Sequence, residues 1–310
     1  MTKTSIPSTS GLLNIDKPKG LTSHDVVNRV RKLAGQRRVG HAGTLDPMAT
    51  GVLLVCLGQA TRLIEYVMAG RKQYRAVFRF GVTTDTLDAD GQITAENDPS
   101  GLSETQLRQI LPAFLGQIEQ LPPLFSAIKK AGQPLYKRAR AGETVEVEPR
   151  QVTLYELAWV AWQPPDLTLD ITCSPGTYIR SLARDVGLAA GPGAHLAGLT
   201  RTASGPWKLA DAVPLTTLER EAAEDGPSWQ RHLHPPDQAV THLPPVILSP
   251  EDAKHVQQGQ QIQIDLPPNT SSLDNLGLAR AYTPDGDFLA ILTLAEPDAK
   301  LWQPKKVFQI

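Results

Sequence analysis

The sequence lacks most of the features that define several common protein classes. Its 310 residues include only two cysteines, Cys56 and Cys173, which lie far apart without CxxC spacing. This argues against a disulfide framework or a cysteine zinc site, and we interpret both thiols as small buried apolar side chains. The longest apolar runs are too short to span a bilayer, and the first ten residues contain no apolar signal segment. We therefore expect a protein of a reducing compartment, the cytoplasm, without a membrane anchor.

Motifs for common cofactors are missing as well. The chain contains no Walker loop, no dinucleotide GxGxxG pattern and no HExxH pair, which argues against nucleotide cofactors and zinc hydrolysis. Residues 85–91 (DTLDADG) carry three carboxylates but lack the glutamate that a calcium loop needs twelve residues after its first ligand. We interpret this segment as a solvated turn in which Asp88 helps to order basic neighbours. No metal and no cofactor are expected.

Charge is balanced overall but unevenly distributed. The net charge is −1, yet residues 11–80 contain twelve Lys and Arg against four Asp and Glu. A second basic stretch lies near residues 129–140, and the last hundred residues are acidic. A basic surface of this kind suits a polyanion such as a nucleic acid, and ordinary solvated charge is the alternative.

Periodicity predicts an α+β fold with a mixed, mostly antiparallel central sheet and flanking helices. Strands are expected at 12–15, 71–80, 152–155 and 167–173, and helices near 22–33, 60–68, 103–114 and 177–187. From about Thr217 the pattern loosens, and the proline pairs at 235–236 and 244–245 suggest a linker. We therefore predict a main domain over residues 1–240 and a small β-rich accessory domain over residues 241–310.

One stretch, residues 38–54 (RVGHAGTLDPMATGVLL), combines a strand end, a tight turn and a second apolar run. Pro47 fixes its own φ angle and biases Asp46 away from the helical region, so a single carboxylate is held at a bend. His41 and Thr44 lie close by in the sequence, and small residues such as Gly43 allow a ligand or another backbone to approach.

This stretch resembles the GHxGTLDPxATGVL signature of the bacterial tRNA pseudouridine-55 synthases of the TruB type. Further segments are similar to motifs of the same family: NIDKPKGLTSHDVV at 14–27, KxY at 72–74, GTYIRSL at 176–182 and HLxxLxRT at 195–202. Residues 122–142 resemble the RNA-gripping insertion of the family, PPxxSAxKxxGxxLYxxAR. The resemblance covers roughly residues 10–205, and over the accessory domain a PUA-type likeness is weak.

The resemblance implies an isomerase that converts uridine 55 in the T loop of tRNA to pseudouridine after flipping the base out. It implies Asp46 as the catalytic carboxylate, Tyr74 as the residue stacked on the base and Arg180 as the cation that keeps Asp46 charged. His41 would fill the gap left by the base, while Tyr178 and Leu199 would wall the pocket. Lys17 and the insertion (near 122–150) would bind RNA, the latter through Lys129, Lys130, Arg138 and Arg140.

Several alternatives remain open at this level. Helical phase turns Tyr178 and Arg180 away from the apolar stripe of their helix, so Arg180 is either the partner of Asp46 or a surface residue beside Asp185. Lys17 is either a phosphate contact or a structural residue of its turn. At the level of function, the rivals are a non-catalytic RNA-binding protein and a related synthase that acts on ribosomal RNA with guide RNA. We expect tRNA as the partner of a monomer that needs no other protein.

Overall fold

The architecture is seen in a computed structural model that describes residues 9–125, 129–130, 133–134, 147–265, 277–296, 298 and 300–308. In the described part of the chain the strands form a ten-stranded sheet, a five-stranded sheet and two small two-stranded sheets, one of Val82–Thr84 with Ile93–Glu96 and one of Lys129–Lys130 with Gln133–Pro134. The strands in chain order are β1 (Gly11–Lys17), β2 (Val39–His41), β3 (Thr50–Leu57), β4 (Lys72–Phe80), β5 (Val82–Thr84), β6 (Ile93–Glu96), β7 (Gly116–Gln120), β8 (Lys129–Lys130), β9 (Gln133–Pro134), β10 (Arg150–Gln163), β11 (Asp166–Cys173), β12 (Ala194–Ser204), β13 (Trp207–Lys208), β14 (Val213–Pro214), β15 (Pro245–Ile247), β16 (Ile262–Gln263), β17 (Leu278–Tyr282), β18 (Phe288–Glu296) and β19 (Leu301–Val307).

The described α-helices lie between the strands along the chain. They are α1 (Ser23–Ala34), α2 (Ile64–Met68), α3 (Glu104–Ile110), α4 (Ile179–Ala190), α5 (Leu215–Asp225) and α6 (Pro250–Gln257). Short 3-10 helices cover Gly58–Leu63, Leu111–Phe114, Leu209–Asp211, Gly226–His232 and Pro236–Val240. Among the residues described here, no helix is both long and apolar enough to cross a membrane.

The large sheet has the strand order β14-β1-β3-β12-β4-β11-β10-β7, with β2 added to β3 and β13 added to β12. Most of its neighbours run antiparallel, and the exceptions are β1 with β14 and β3 with β12. The predicted α+β class with a mostly antiparallel central sheet is therefore confirmed. Strand β12 is central to the layout, because it joins the β1–β3 half of the sheet to the β4–β11 half.

Local sequence explains why these elements begin and end where they do. At the start of α1, the side chain of Thr22 accepts a hydrogen bond from the backbone N–H of Asp25, and the Asp25 carboxylate accepts one from the backbone N–H of Thr22. Gly35 ends the helix with φ +61°. These caps satisfy backbone groups that a helix end leaves without partners. In β4, Tyr74, Ala76, Phe78 and Phe80 are buried and Arg75 and Arg79 are exposed, as the alternation predicted.

Two predictions about helices need correction. The helix expected over 60–68 is a 3-10 turn followed by only five α-helical residues. No helix was predicted around Thr217, where the apolar periodicity is weak, but α5 lies there and its Leu215 and Leu218 are buried in the main core. Here burial on one side stabilises a helix that weak local signals do not announce.

The second sheet, β15-β17-β18-β19-β16, begins at Pro245, close to the predicted domain boundary. It has its own core around Leu289 and Leu292, but Ile291 and Phe308 belong to a cluster that also contains Leu12 and Leu54 of the large sheet. The division at residue 240 therefore remains a prediction, and the two sheets share an apolar contact.

Candidate active site

The turn that carries Asp46 is held in place on several sides. Ser23, at the start of α1, accepts the backbone N–H of Leu45 at 2.8 Å and its hydroxyl lies 3.1 Å from the Leu45 carbonyl. The carbonyl of Asp46 accepts the N–H of Ala49, and that of Pro47 accepts the N–H of Gly20. Leu45 is 3% exposed and joins the main core. The carboxylate therefore projects from a rigid bend.

Arg180 lies directly against this carboxylate. Its Nη2 donates to Oδ1 of Asp46 at 3.1 Å, and its Nε lies 3.0 Å from Oδ2 without the alignment of a second hydrogen bond. The Arg180 side chain is 6% exposed, whereas that of Asp46 retains 31% of its surface. Of the two positions considered for Arg180, the surface position beside Asp185 is wrong, because Asp185 pairs with Arg184. Arg180 points into a cleft and not away from the interior.

The loop before β6 completes the surroundings of Arg180. Nη1 of Arg180 donates to the carbonyl of Thr86 at 3.0 Å and lies 3.6 Å from Oδ2 of Asp88. Asp88 is 5% exposed and accepts bonds from the Thr86 hydroxyl and the Asp90 N–H. The expectation of a solvated turn is therefore wrong for Asp88, whereas its expected pairing with a basic neighbour is confirmed. Buried carboxylates require such partners.

Opposing influences act on the charge of Asp46. Desolvation raises the pKa of Asp46 above its usual range, the charge of Arg180 lowers it, and Asp88 raises it again. Desolvation outweighs the cations, so the pKa of Asp46 is raised overall. A carboxylate of this kind is more basic than a surface aspartate and still partly open to a substrate.

Tyr74 and Leu199 lie on the adjacent strands β4 and β12. Tyr74 is 9% exposed on β4, Leu199 is 8% exposed on β12, and both pack in the core cluster that contains Leu45. Burial raises the pKa of Tyr74, and the charge of Arg201 opposes this effect. Tyr74 also feels the charge of Asp46. The structure thus brings together the base-stacking, wall and catalytic residues that the resemblance implied.

His41 and Tyr178 lie at the sides of the site. His41 is half-buried at the end of β2, and within the described part of the chain its Nδ1 has no hydrogen-bond partner. Desolvation and the charge of Arg201 lower the pKa of His41, which favours the neutral ring. Tyr178 occupies the N-cap position of α4, and its backbone N–H donates to Oε1 of Gln120 at 2.7 Å.

Lys17 does not have the expected role of a phosphate contact. It is 0% exposed, and its ammonium donates to the carbonyls of Leu21 at 2.7 Å and Pro18 at 3.0 Å, with Pro47 at 3.4 Å. Burial lowers the pKa of Lys17 to about 8. An ammonium committed to three carbonyls inside the protein cannot reach an RNA backbone, so the structural alternative for Lys17 is correct.

The other residues expected to bind RNA lie wholly or partly outside the described part of the chain. Arg138 and Arg140 lie outside the described residues, and only the backbone of Lys129 and Lys130 is described, as strand β8 paired with β9. In the part of the chain that is described, no group of His, Cys, Asp and Glu side chains is arranged to hold a metal ion.

Arg201 is a buried charged residue for which the sequence patterns indicated no role. Its Nε donates to the Val52 carbonyl at 2.6 Å, and Nη1 and Nη2 donate to the carbonyls of Thr44 and Gly43 at 3.3 and 3.2 Å. The sequence did carry a signal for it. Leu199, Arg201 and Ala203 occupy every second position of β12, so they are expected on the same buried face. A charged side chain at a buried position needs hydrogen-bond partners.

Comparison with known families defines the class of protein. A model described as TruB family pseudouridylate synthase, N-terminal domain, matches residues 31–179, and one described as tRNA pseudouridylate synthase B, C-terminal domain, matches residues 180–241. The fold and site are thus those of a pseudouridylate synthase, an isomerase. The chain belongs to the TruB family of these enzymes.

Individual relatives agree with this placement. The tRNA pseudouridine synthase B of Pseudomonas aeruginosa (strain UCBPP-PA14) is 44% identical over 92% of this chain and 91% of its own length. That of Synechocystis sp. (strain ATCC 27184 / PCC 6803 / Kazusa) is 48% identical over 83% of this chain and 87% of its own. Among solved structures, a chain of a Cbf5-Nop10-Gar1 complex is 28% identical, with a TM-score of 0.73 over 96% of this chain and 85% of that chain.

Proposed function

We propose that this protein converts uridine 55 in the T loop of tRNA to pseudouridine, with Asp46 as the catalytic carboxylate. The observation that carries the proposal is the pairing of Asp46 with the buried Arg180, with Tyr74 and Leu199 in the core that supports the Asp46 turn. Family membership and the names of the relatives, tRNA pseudouridine synthase B, support the reaction and the kind of RNA.

The reaction breaks the bond between N1 of uracil and C1′ of the ribose, turns the base and joins C5 to C1′. It needs no net oxidation and no added group. A carboxylate close to the ribose acts as a nucleophile or as a base, and Asp46 suits either role because part of its side chain remains exposed while Arg180 favours its ionised form.

The base must leave the folded T loop before Asp46 can reach its ribose. In this proposal Tyr74 stacks on the flipped uracil, Tyr178 and Leu199 wall its pocket, and His41 fills the gap that the base leaves. The low pKa of His41 supports this last role, because a neutral ring enters a base stack at less desolvation cost than a charged one.

We also propose that the enzyme works as a cytoplasmic monomer without an obligatory protein partner. Basic residues of the insertion, Lys129, Lys130, Arg138 and Arg140, would hold the T arm by phosphate contacts and stacking, as is usual for RNA recognition.

The first test uses purified protein and an unmodified tRNA transcript, with pseudouridine mapped by chemical adduct sequencing. We expect one new pseudouridine, at position 55. Asp46→Asn should abolish its formation and leave tRNA affinity within a few fold, since the change is nearly isosteric. Its thermal stability should not fall, because burial disfavours the charge that the variant removes. Normal turnover by Asp46→Asn would refute the catalytic assignment.

A guide-RNA-dependent synthase is the second candidate. It is favoured by the likeness to a solved structure titled as an H/ACA RNP bound to a substrate RNA, with a TM-score of 0.71 and 25% identity. The higher identity to the tRNA enzymes supports the first proposal instead. Modification of naked tRNA by the isolated chain would exclude the guide-dependent candidate, and activity only after guide RNA is added would favour it.

A further inference from the structure

Arg201 is a buried residue that has no role in the reaction proposed above. It is 1% exposed and ranks first among the largest fully buried side chains of the described chain. Among the described ion pairs none involves Arg201, so its charge is balanced by hydrogen bonds to carbonyl groups. A buried guanidinium with such partners is stable only if the carbonyls remain where they are.

The three carbonyls lie on both sides of Asp46. Gly43 and Thr44 precede it and Val52 follows it, so one guanidinium closes the turn by joining its two ends. The backbone adds a second connection, because Arg201 pairs with Gly51 of β3 on one side and with Tyr74 of β4 on the other. Arg201 therefore lies between β3, which follows the Asp46 turn, and β4, which carries Tyr74.

The side chain also reaches the base-stacking residue. Tyr74 is the direct partner of Arg201 across β4 and β12, and the buried Tyr74 ring has little freedom. Burial raises the pKa of the Tyr74 phenol, and the charge of the nearby Arg201 opposes that rise. By contrast, the pKa of Asp46 is governed chiefly by desolvation and by the charges of Arg180 and Asp88.

We propose that Arg201 is a positioning residue that sets the Asp46 turn and the Tyr74 ring at a fixed distance from each other. It acts through both residues and does not touch the substrate. The inference deepens the proposed function and rests on it for the roles of Asp46 and Tyr74. Placement matters in this way because an error of about 1 Å in a reacting group can lower a rate by about 100-fold.

The test is Arg201→Lys, which keeps the charge but lacks the planar fork that bonds three carbonyls at once. Single-turnover rates at saturating tRNA are measured across pH by release of tritium from C5 of uridine. Affinity is measured by filter binding in the Asp46→Asn background, and folding by thermal unfolding. The matched control is Arg79→Lys, on the exposed face of β4.

We expect Arg201→Lys to lose about 100-fold in single-turnover rate, with tRNA affinity within about threefold and an acid limb at the same pH. Its melting temperature should fall below that of the control, because buried carbonyls lose a donor, and the rates are therefore measured well below that temperature. A rate like that of the control, or a loss confined to affinity, would overturn the proposal. Failure of the proposed function would look different, because the unaltered protein itself would then leave tRNA unmodified.

A second variant covers the case in which Arg201→Lys does not fold. Tyr74→Phe removes the phenol that Arg201 contacts but keeps the stacking ring and nearly the same volume. We expect a reduced single-turnover rate with unchanged tRNA affinity. A rate equal to that of the unaltered protein would show that the contact between Arg201 and Tyr74 does not position the ring, and would overturn that half of the proposal.

Discussion

At the scale of single residues, burial and a neighbouring cation act in opposite directions on the charge of Asp46. Burial raises its pKa, and Arg180, itself buried, supplies the largest opposing effect. Asp88 shares the same guanidinium and competes for it at 3.6 Å. A cation between two carboxylates stabilises both, so removing the cation should leave two like charges facing each other in the cleft.

This arrangement predicts how the reaction depends on pH. Arg180→Met keeps most of the side-chain length and removes the charge that lowers the pKa of Asp46, so that pKa should rise further. The reaction requires the ionised carboxylate, which exists only above its pKa. The acid limb of the single-turnover pH–rate profile should therefore move to higher pH, and the plateau should fall.

Arg180→Lys serves as the matched variant, because it restores a charge without the planar guanidinium. We expect it to bring the acid limb part of the way back. If the limb of Arg180→Met stays in place and only tRNA affinity falls, Arg180 binds phosphate and does not tune Asp46.

At the scale of elements, the site depends on the junction between β3 and β12. Gly51 has φ +94°, and a Cβ atom there would lie 2.3 Å from the Arg201 carbonyl oxygen. Two strands therefore approach each other at a point where a side chain has no space. The turn with Asp46 lies immediately before this contact, so the packing of β3 on β12 helps to set the position of the carboxylate.

Gly51→Ala should consequently destabilise the fold by two separate effects. The left-handed backbone costs about 1–2 kcal/mol for alanine, and the overlap with Arg201 adds about 1–3 kcal/mol. Gly116 is the matched control, since its φ is +84° and a Cβ atom there would meet nothing within 4 Å. Urea unfolding should show a clearly larger loss for Gly51→Ala than for Gly116→Ala, and equal losses would mean that the junction relaxes easily.

At the scale of the whole molecule, the second sheet is attached to the first by more than its connection along the chain. The backbone carbonyl of Val307 accepts from Arg62, Lys306 pairs with Glu65, and the Arg62 guanidinium lies 5.1 Å from the centre of the Phe308 ring. Phe308 is 5% exposed in the cluster shared by both sheets. Removing the last residues should therefore affect the main fold.

Phe308→Ala tests this attachment without deleting a segment. Loss of a buried aromatic side chain costs about 3–5 kcal/mol, and we expect a decrease of that order in the free energy of unfolding. Ile247→Ala is the control, because Ile247 is 72% exposed and a surface change of this kind costs about 0.5 kcal/mol or less. A small effect of Phe308→Ala on the main transition would instead support an independent accessory domain.

Much of this architecture could be predicted from the sequence because the signals are local. Alternation in β4 exposes Arg75 and buries Tyr74, and the Thr22–Asp25 capping box with Gly35 determines the ends of α1. A short motif with one carboxylate before Pro47 sufficed to select Asp46. Where local signals are weak, as in α5, the helix was missed, since its stability comes from packing.

By itself, then, the sequence determined the class of fold, the family and the catalytic candidate Asp46, because each depends on residues that are near one another in the chain. Only the tertiary structure decided which basic residues are buried and which groups they bind. Arg180 meets Asp46 across 134 positions, Arg201 reaches Gly43 across 158, and Lys17 turns inward to carbonyl groups. Charges find partners in three dimensions, and the free energy of burying them depends on contacts that no local pattern encodes.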